Sequence, residues 1–150
     1  MEVREILRVK GATLFTATPD ELLAEAISVM ADHDVGSLVV MEGSSLIGML
    51  TFREVLKAVN QRKGMLEGVT VGDVMVRDPV TVPPSMPVDE LRRLMIDKHS
   101  RYLPVMDGKV LQGVISFLDV AKAVLEEQGF ENRMLKNYIR NWPEGEQAQN

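Results

Sequence analysis

Two short segments place a hydroxyl side chain three residues before a carboxylate, where an apolar run gives way to a helical pattern. They are Thr51 and Glu54 in GMLTFREV (48–55), and Ser116 and Asp119 in GVISFLDV (113–120). A helix N-terminus has free N–H groups and a positive dipole end, so it can seat a phosphate, and a serine hydroxyl adds a donor. A carboxylate in the first turn can accept both hydroxyls of a ribose. The same spacing also forms a capping box, in which both side chains satisfy only the backbone of their own helix.

The acid differs between the two segments, and this difference separates their expected roles. Glutamate is favoured in a capping box because its extra methylene reaches back to the backbone. Thr51 and Glu54 are therefore expected to form the better cap, and Ser116 and Asp119 to contact a ligand. Whether the first pair also holds a ribose stays open at this point.

The two segments belong to an internal duplication. Residues 16–59 align without a gap to residues 81–124, and 16 of the 44 aligned pairs are identical. Unrelated sequences of ordinary composition would share roughly three such pairs. Each copy has an apolar segment (14–17 or 80–82), a helical pattern, two strand-like runs and a second helical pattern. The sequence therefore predicts an α+β fold of two β-α-β-β-α units, packed about a pseudo-twofold axis because one unit alone would leave its sheet half covered.

Local signals predict how the helices begin and which faces they bury. Thr18 is expected to cap the first helix of copy one, with Pro19 at its first helical position and Glu21 completing the box. Thr70 and Asp73 are expected to box a short helix between the copies. Apolar residues at helical spacing are predicted to face the core; they are Leu23, Ala26, Ile27, Met30, Phe52, Val55, Leu56 and Val59, with Val88, Leu91, Leu94, Met95, Phe117, Val120, Ala121 and Val124 in copy two.

Composition limits the classes of function. The 150 residues are 45% hydrophobic and 26% charged, with a formal net charge of −5, as in ordinary globular proteins. The negative charge argues against nucleic-acid binding. There is no cysteine, which excludes disulfides and thiolate metal sites, and His33 and His99 are interpreted as solvated helix ends without a metal. The chain has no segment typical of a signal peptide or a membrane span, so we expect a cytoplasmic protein.

The two copies resemble cystathionine-β-synthase-type (CBS) repeats. The segment HDVGSLVVMEGSSLIGMLTFREV resembles the first repeat of bacterial tandem CBS proteins, and VMVRDPVTVPPSMPVDELRRLMIDKHSRYLPVMDGKVLQGVISFLDV resembles the second. The resemblance implies a Bateman module with two clefts between the repeats, often paired into a dimeric disc. It divides the chain into a first repeat with an N-terminal helix (1–62), a linker with the second repeat (63–128) and a helical tail with a disordered end (129–150).

The resemblance also implies the ligand and its contacts. In the family, [ST]-x-x-D binds adenosine compounds, and Ser116 and Asp119 match it; Thr51 and Glu54 match it except for the acid. The first strand and the strand after the first helix supply the adenine slot. Matching positions are Val80, Tyr102, Leu103 and Pro104 in the second copy, and Phe15, Thr16, Leu38 and Val39 in the first. Arg101 and Arg53 are candidates to neutralise a phosphate.

The resulting hypothesis is a non-catalytic sensor without a catalytic cofactor. Its regulatory ligand would be AMP foremost, with ADP, ATP, NAD or S-adenosylmethionine as alternatives, and its partners would be a second copy and an effector protein. No nucleic acid or membrane partner is expected. A purely structural dimerisation module, in which both boxes only cap helices, is the alternative.

Overall fold

The computed structural model describes residues 1–11 and 13–140. The predicted disordered end, residues 142–150, lies outside this range. No helix in the described range is both long and apolar enough to cross a membrane. The elements in chain order are α1 (Val3–Lys10), β1 (Thr16–Ala17), α2 (Leu23–His33), β2 (Ser37–Glu42), β3 (Ser45–Thr51), α3 (Phe52–Gln61), α4 (Val71–Val74), β4 (Val76–Arg77), α5 (Val88–Lys98), β5 (Tyr102–Asp107), β6 (Val110–Ser116) and α6 (Phe117–Arg140).

The predicted α+β class and the duplicated β-α-β-β-α unit are confirmed. In the first repeat, β1 pairs in parallel with β2, β2 pairs antiparallel with β3, and β4 from the linker adds to the other side of β3. In the second repeat β5 and β6 form the equivalent antiparallel pair, and Val82 forms a parallel bridge to Val105 in place of a full first strand. Buried Val39, Met49 and Val114 pack together where the two repeats meet.

The two short helices are exchanged between the repeats. The N–H of Val3 at the start of α1 donates to Met86 O at 2.9 Å, and the N–H of Val71 at the start of α4 donates to Glu21 O at 2.8 Å. Val3 and Ile6 are buried in the core of the second repeat, and Val71 is buried in the core of the first. Each repeat is thus completed by the helix that precedes the other repeat in sequence, which is the expected pseudo-twofold relation.

The prediction for the start of α2 was wrong by one turn. Its N-cap is Leu22, without a side-chain cap, and Thr18 and Pro19 lie in a preceding turn. The carbonyls of Pro19 and Glu21 accept hydrogen bonds from the first N–H groups of α4, so this turn serves the exchanged helix. The box of Thr70 and Asp73 on α4 itself is confirmed, with Asp73 Oδ2 accepting from Thr70 N at 2.9 Å.

The inward faces of α2 and α5 are confirmed, but that of α3 was wrong for three of its four residues, since only Val55 packs against the core. Leu23, Met30, Leu91 and Met95 are buried. On α3, however, the buried residues are Glu54 and Ala58, while Phe52, Leu56 and Val59 are exposed, and Phe117 is also exposed on α6. Phe52, Leu56 and Val59 therefore point away from the core.

Exchange of α1 predicts that Ile6, which lies in the predicted first-repeat segment (1–62), stabilises the second repeat. Ile6→Ala should lower the free energy of unfolding by about 2–5 kcal/mol, because Ile6 is 6% exposed within the second core. Val9→Ala on the same helix is the control: Val9 is 85% exposed, so its change should stay within about 0.5 kcal/mol. Urea unfolding followed by circular dichroism gives both values. Equal, small effects would contradict the docking of α1.

Candidate ligand clefts

Ser116 and Asp119 form a capping box at the start of α6. Asp119 N donates to Ser116 Oγ at 3.0 Å, and Ser116 N donates to Asp119 Oδ2 at 2.9 Å. The same Oδ2 accepts from Lys10 Nζ at 2.8 Å, and Lys10 also donates to Val114 O at 2.8 Å. In these contacts the Ser116 hydroxyl acts only as an acceptor, so the box itself does not use its proton.

Thr51 and Glu54 also form a capping box, but their polar atoms are more fully occupied. Glu54 Oε1 accepts from Thr51 N at 2.8 Å and from the Thr51 hydroxyl at 2.7 Å. The hydroxyl in turn accepts from Arg53 N at 3.2 Å. Glu54 is only 8% exposed. The longer acid thus takes the hydroxyl proton that remains available on Ser116, which agrees with the predicted cap.

The first cleft combines the hydroxyl–acid motif of the first repeat with strand residues of the second. Its volume is about 420 Å³. Its polar end holds Thr51, Arg53 and Glu54, and its apolar wall holds Val80 and Leu103. The remaining lining residues are Met49, Phe52, Leu56, Val76, Pro79, Lys98, His99, Ser100, Arg101 and Tyr102. This cleft has an excess of positive charge because three cationic side chains line it, those of Arg53, Lys98 and Arg101.

The second cleft has the reverse combination. Its volume is about 730 Å³, and it places Ser116 opposite Phe15 and Ser37 of the first repeat. The remaining lining residues are Lys10, Thr13, Leu14, Asp34, Val35, Gly36, Arg101, Tyr102, Val114, Phe117 and Leu118. Both clefts are therefore composite: each takes its helix N-terminus from one repeat and its strand wall from the other.

Tyr102 lies between the two clefts and lines both. Its hydroxyl packs over Gly36, where an added Cβ would clash with it and would also come within 2.7 Å of the Phe52 ring. Burial raises the pKa of Tyr102, although the positive charge of Arg101 opposes the shift. Tyr102 is therefore a neutral hydrogen-bonding group in both clefts at physiological pH.

Pro104 removes a backbone hydrogen bond beside the first cleft. In the first repeat, Val39 N donates to Phe15 O at 3.4 Å. The equivalent residues in the second repeat are Pro104 and Val80, and a proline has no N–H to donate. Val80 lines the first cleft. Its carbonyl therefore lacks the N–H partner that the carbonyl of Phe15 has.

Several sequence-predicted site residues do not reach a cleft. Leu38, Val39 and Pro104 are buried in strands, and Thr16 is an exposed residue of β1. Asp119 lies behind Lys10 and lines a groove of about 860 Å³ between α1 and α6, which we call the helix groove.

The clefts also include residues that sequence analysis missed. Lys10 and Lys98 add positive charge, and His99 and Asp34 line the rims of the first and second clefts. Both rim residues have a left-handed backbone, with φ of 52°, at the end of α5 and α2. These two positions could have been predicted, because each lies between a helix and the next strand of the cleft. No sequence signal placed Lys10 beside Asp119.

Asp119 is partly buried, and this alone would raise its pKa. The hydrogen bonds from Lys10 and from the Ser116 backbone N–H, together with the positive charge of Lys10, outweigh burial, so the pKa of Asp119 lies below its ordinary value. It is an ionised acceptor at neutral pH. Among the described residues, no three His, Asp or Glu side chains lie close enough together to hold a metal ion.

Comparison with known proteins identifies the family. The family model for the CBS domain matches residues 3–61 and 71–126. The chain belongs to the CBS domain family. The CBS domain-containing protein CBSX3, mitochondrial, of Arabidopsis thaliana is 30% identical over 147 residues, which cover 92% of this chain and 71% of CBSX3. A protein with CBS domains from Burkholderia ambifaria MC40-6 has a solved structure with a TM-score of 0.80 and 32% identity, covering 85% of this chain and 96% of that chain.

Two more distant CBS structures contain adenosine compounds. CBSX2 was solved in complex with AMP; it shares 22% identity at a TM-score of 0.70, over 83% of this chain and 97% of that chain. The CBS domain pair of protein MJ0100 was solved with 5′-methylthioadenosine and S-adenosyl-L-methionine; it shares 23% identity at a TM-score of 0.74, over 85% and 98% of the two chains. At these identities the likeness to this chain is one of fold.

The low pKa of Asp119 predicts a pH-dependent contribution to stability. An aspartate whose folded-state pKa is depressed stabilises the fold above its unfolded pKa, and this contribution is lost as the pH falls through the folded pKa. Asp119→Asn should therefore lower the free energy of unfolding by about 1–2 kcal/mol at pH 7. The difference from wild type should shrink below about pH 4. Thermal melts between pH 7 and pH 3 measure it.

Asp89→Asn is the control for this measurement. The Asp89 side chain is 84% exposed and pairs only with Arg92 on its own helix, so its substitution should change the melting temperature little at any pH. A difference for Asp119→Asn that stays constant from pH 7 to pH 3 would contradict the assigned contacts.

Proposed function

We propose that this CBS pair is a non-catalytic regulatory module that binds an adenosine-containing ligand between its repeats. The candidate ligands are AMP foremost, then ADP, ATP, NAD and S-adenosylmethionine. The observation that carries the proposal is the Ser116 hydroxyl, whose proton is not used by the capping box and which opens onto a cleft of about 730 Å³. Cavities of roughly 300–1,000 Å³ are typical of small-molecule sites. A cap without a ligand role would need no such opening.

In the second cleft, each part of the ligand would have a partner. A phosphate would lie at the N-terminus of α6, where the positive end of the helix dipole, the Ser116 hydroxyl and the Arg101 guanidinium can bind it. The ribose would bind the Asp119 carboxylate, which lies behind Lys10 beside this cleft, in competition with the Lys10 ammonium. Phe15 supplies an aromatic face for the adenine.

The first cleft would bind the same class of ligand with a different balance of contacts. The carbonyl of Val80 can accept from the adenine amino group because Pro104 leaves it without its N–H partner. Arg53 and Lys98 can neutralise a phosphate. Glu54 is committed to Thr51, so a ribose there would have to replace one of these hydrogen bonds. We therefore expect the second cleft to bind more tightly.

The CBS neighbours support the ligand class without deciding among its members. CBSX2 was solved with AMP, and MJ0100 with a methylthio and a sulfonium derivative of adenosine. All three compounds share the adenosine group. The difference between free and bound conformations would be passed to an effector protein, and the ligand can shift this equilibrium only through its difference in affinity for the two states.

A ligand titration of Ser116→Ala tests the proposal. AMP at ~100 times its dissociation constant should stabilise the wild-type chain by about 2.7 kcal/mol. Ser116→Ala should weaken AMP binding by roughly ten- to a hundredfold, as expected for one hydrogen bond to a charged group, in addition to losing a cap. Isothermal titration calorimetry measures the affinity apart from the stability.

Thr70→Ala is the matched control for the lost cap. Thr70 accepts from Asp73 N at 3.3 Å in the same kind of box, but neither residue lines a cleft. This variant should lose about 1 kcal/mol of stability and keep the wild-type affinity. If none of the candidate ligands binds the wild-type chain, the sensor function fails and the structural alternative is favoured.

The structural alternative is favoured by a separate observation, the exposed apolar face of α3 and α6. Leu56 is 70% exposed and Leu118 76% exposed, and Phe52, Phe117 and Leu125 are also exposed on these two helices. Phe52 and Leu56 lie one turn apart on α3, and an exposed apolar patch on a monomer usually marks an interaction surface. We propose that it pairs with the same face of a second copy to form a homodimer, with or without ligand.

Leu56→Glu tests the homodimer. A charge placed in a desolvated apolar interface without a partner is strongly unfavourable, so the variant should sediment as a monomer at concentrations where the wild type is a dimer. Val110→Glu is the control, because Val110 is similarly exposed but lies at the β5–β6 hairpin. A wild-type chain that is monomeric at all concentrations in analytical ultracentrifugation would exclude this interface.

A further inference from the structure

Lys10 is present beside the second motif because α1 is longer than its pseudo-equivalent α4. The two helices correspond through their capping boxes and through the bridges from Glu2 to Pro87 and from Thr70 to Leu22. From this common start α1 runs for eight residues and α4 for four. Lys10 is the last residue of α1, beyond the point where α4 has ended. The first motif therefore has no counterpart of Lys10.

The contacts of Lys10 link it to both the motif and the cleft. Its ammonium group donates to Asp119 Oδ2 and to Val114 O, both at 2.8 Å, which leaves one of its three N–H donors without a described acceptor. Its side chain is about one-third exposed. It lines the helix groove on one side and the second cleft on the other. The ammonium thus lies between the carboxylate and the space that a ligand would fill.

We propose that Lys10 makes the second cleft selective for adenosine compounds with an anionic 5′ substituent. This inference rests on the proposed function and specifies its ligand class. A ribose that binds Asp119 competes with Lys10 for the carboxylate and weakens their ion pair. A phosphate on the same ligand gives the ammonium a new anionic partner, through a charge-assisted hydrogen bond. The other charged side chains of the cleft are Arg101 and Asp34, which are exposed and opposite in sign.

Ligands without this negative charge lack the compensating contact. Adenosine would disturb the pair of Lys10 and Asp119 and offer the ammonium nothing in return. S-adenosylmethionine would bring the positive charge of its sulfonium toward the same ammonium, and like charges in a partly desolvated site repel each other. The expected order of affinity is a nucleoside phosphate first, adenosine second and the sulfonium compound last.

The test compares AMP, adenosine and S-adenosylmethionine by calorimetry on the wild-type chain, Lys10→Met and Lys10→Gln. Each of these three proteins is also measured in a second form that carries Val80→Trp. Val80 lines the first cleft but not the second, so the indole should block the first cleft alone. Lys10→Met should weaken AMP binding by roughly ten- to a hundredfold, the effect of one hydrogen bond to a charged group. It should raise adenosine binding, by less than about threefold, because adenosine no longer competes with Lys10 for Asp119, so the preference for AMP over adenosine narrows. Lys10→Gln, which keeps a polar side chain, should show the same loss.

Lys122→Met is the matched control. Lys122 lies in the helix groove near Lys10 but does not line the second cleft, so its removal should leave the preference for AMP unchanged. Lys10→Arg keeps the charge and should retain most of the preference. Circular dichroism melts establish which variants are folded.

Three results would overturn the inference. An unchanged ratio of AMP to adenosine affinity in both Lys10→Met and Lys10→Gln would show that Lys10 does not select the anion. A parallel increase in affinity for all three ligands would make Lys10 only a competitor of the ribose. If no adenosine compound binds the wild-type chain, both the proposed function and this inference fail. This result differs from the first two, because both of those are observed only when the ligands bind.

Discussion

The exchange of short helices between the repeats is the constraint on which the rest of the structure depends. The backbone N–H groups at the start of α1 bind carbonyls of the second repeat, and those of α4 bind the equivalent carbonyls of the first. An unsatisfied buried N–H group costs about as much as a lost hydrogen bond, so each repeat needs the helix that precedes the other. The exchange fixes the approach of the repeats and carries Lys10, at the end of α1, to Asp119.

Composite clefts follow from the same arrangement. The N-terminus of α6 faces the segment around Phe15, and the N-terminus of α3 faces the segment around Val80. A ligand in either cleft would contact both repeats, so its affinity would depend on their relative position. A ligand bound wholly within one repeat would have no such dependence. This geometry gives the proposed sensor a physical route from binding to conformation, because only a difference in affinity between states can shift their populations.

The duplication made much of this fold predictable, since the same spacing of apolar residues occurs twice and each copy supports the interpretation of the other. The predictions that were wrong depended on contacts distant in sequence. Thr18 and Pro19 carry the local signals of a helix start, yet the carbonyls of this turn bind α4, and α2 begins only at Leu23. The stripe of Phe52 and Leu56 has the spacing of a core face, but spacing alone cannot distinguish a core from a surface suited to another molecule.

The candidate site was predictable in its motifs but not in its assembly. Ser116 and Thr51 could be found from spacing, and the longer acid correctly marked Thr51 and Glu54 as the better cap, in which the hydroxyl donates to its own glutamate. Neither the exchange nor the extra turn of α1 has a local signature, so the position of Lys10 could not be inferred.

The two clefts have diverged since the duplication, and each has an unused hydrogen-bonding group where the other has a satisfied one. Pro104 leaves the carbonyl of Val80 available in the first cleft, where the Thr51 hydroxyl is already committed to Glu54. The second cleft has the reverse pattern, since the Phe15 carbonyl accepts from Val39 while the Ser116 hydroxyl keeps its proton. The first cleft thus offers its unused group to a base, and the second offers its unused group to a phosphate or sugar. Two sites built from one repeated sequence need not bind the same compound with the same affinity, and these residues give the physical reason.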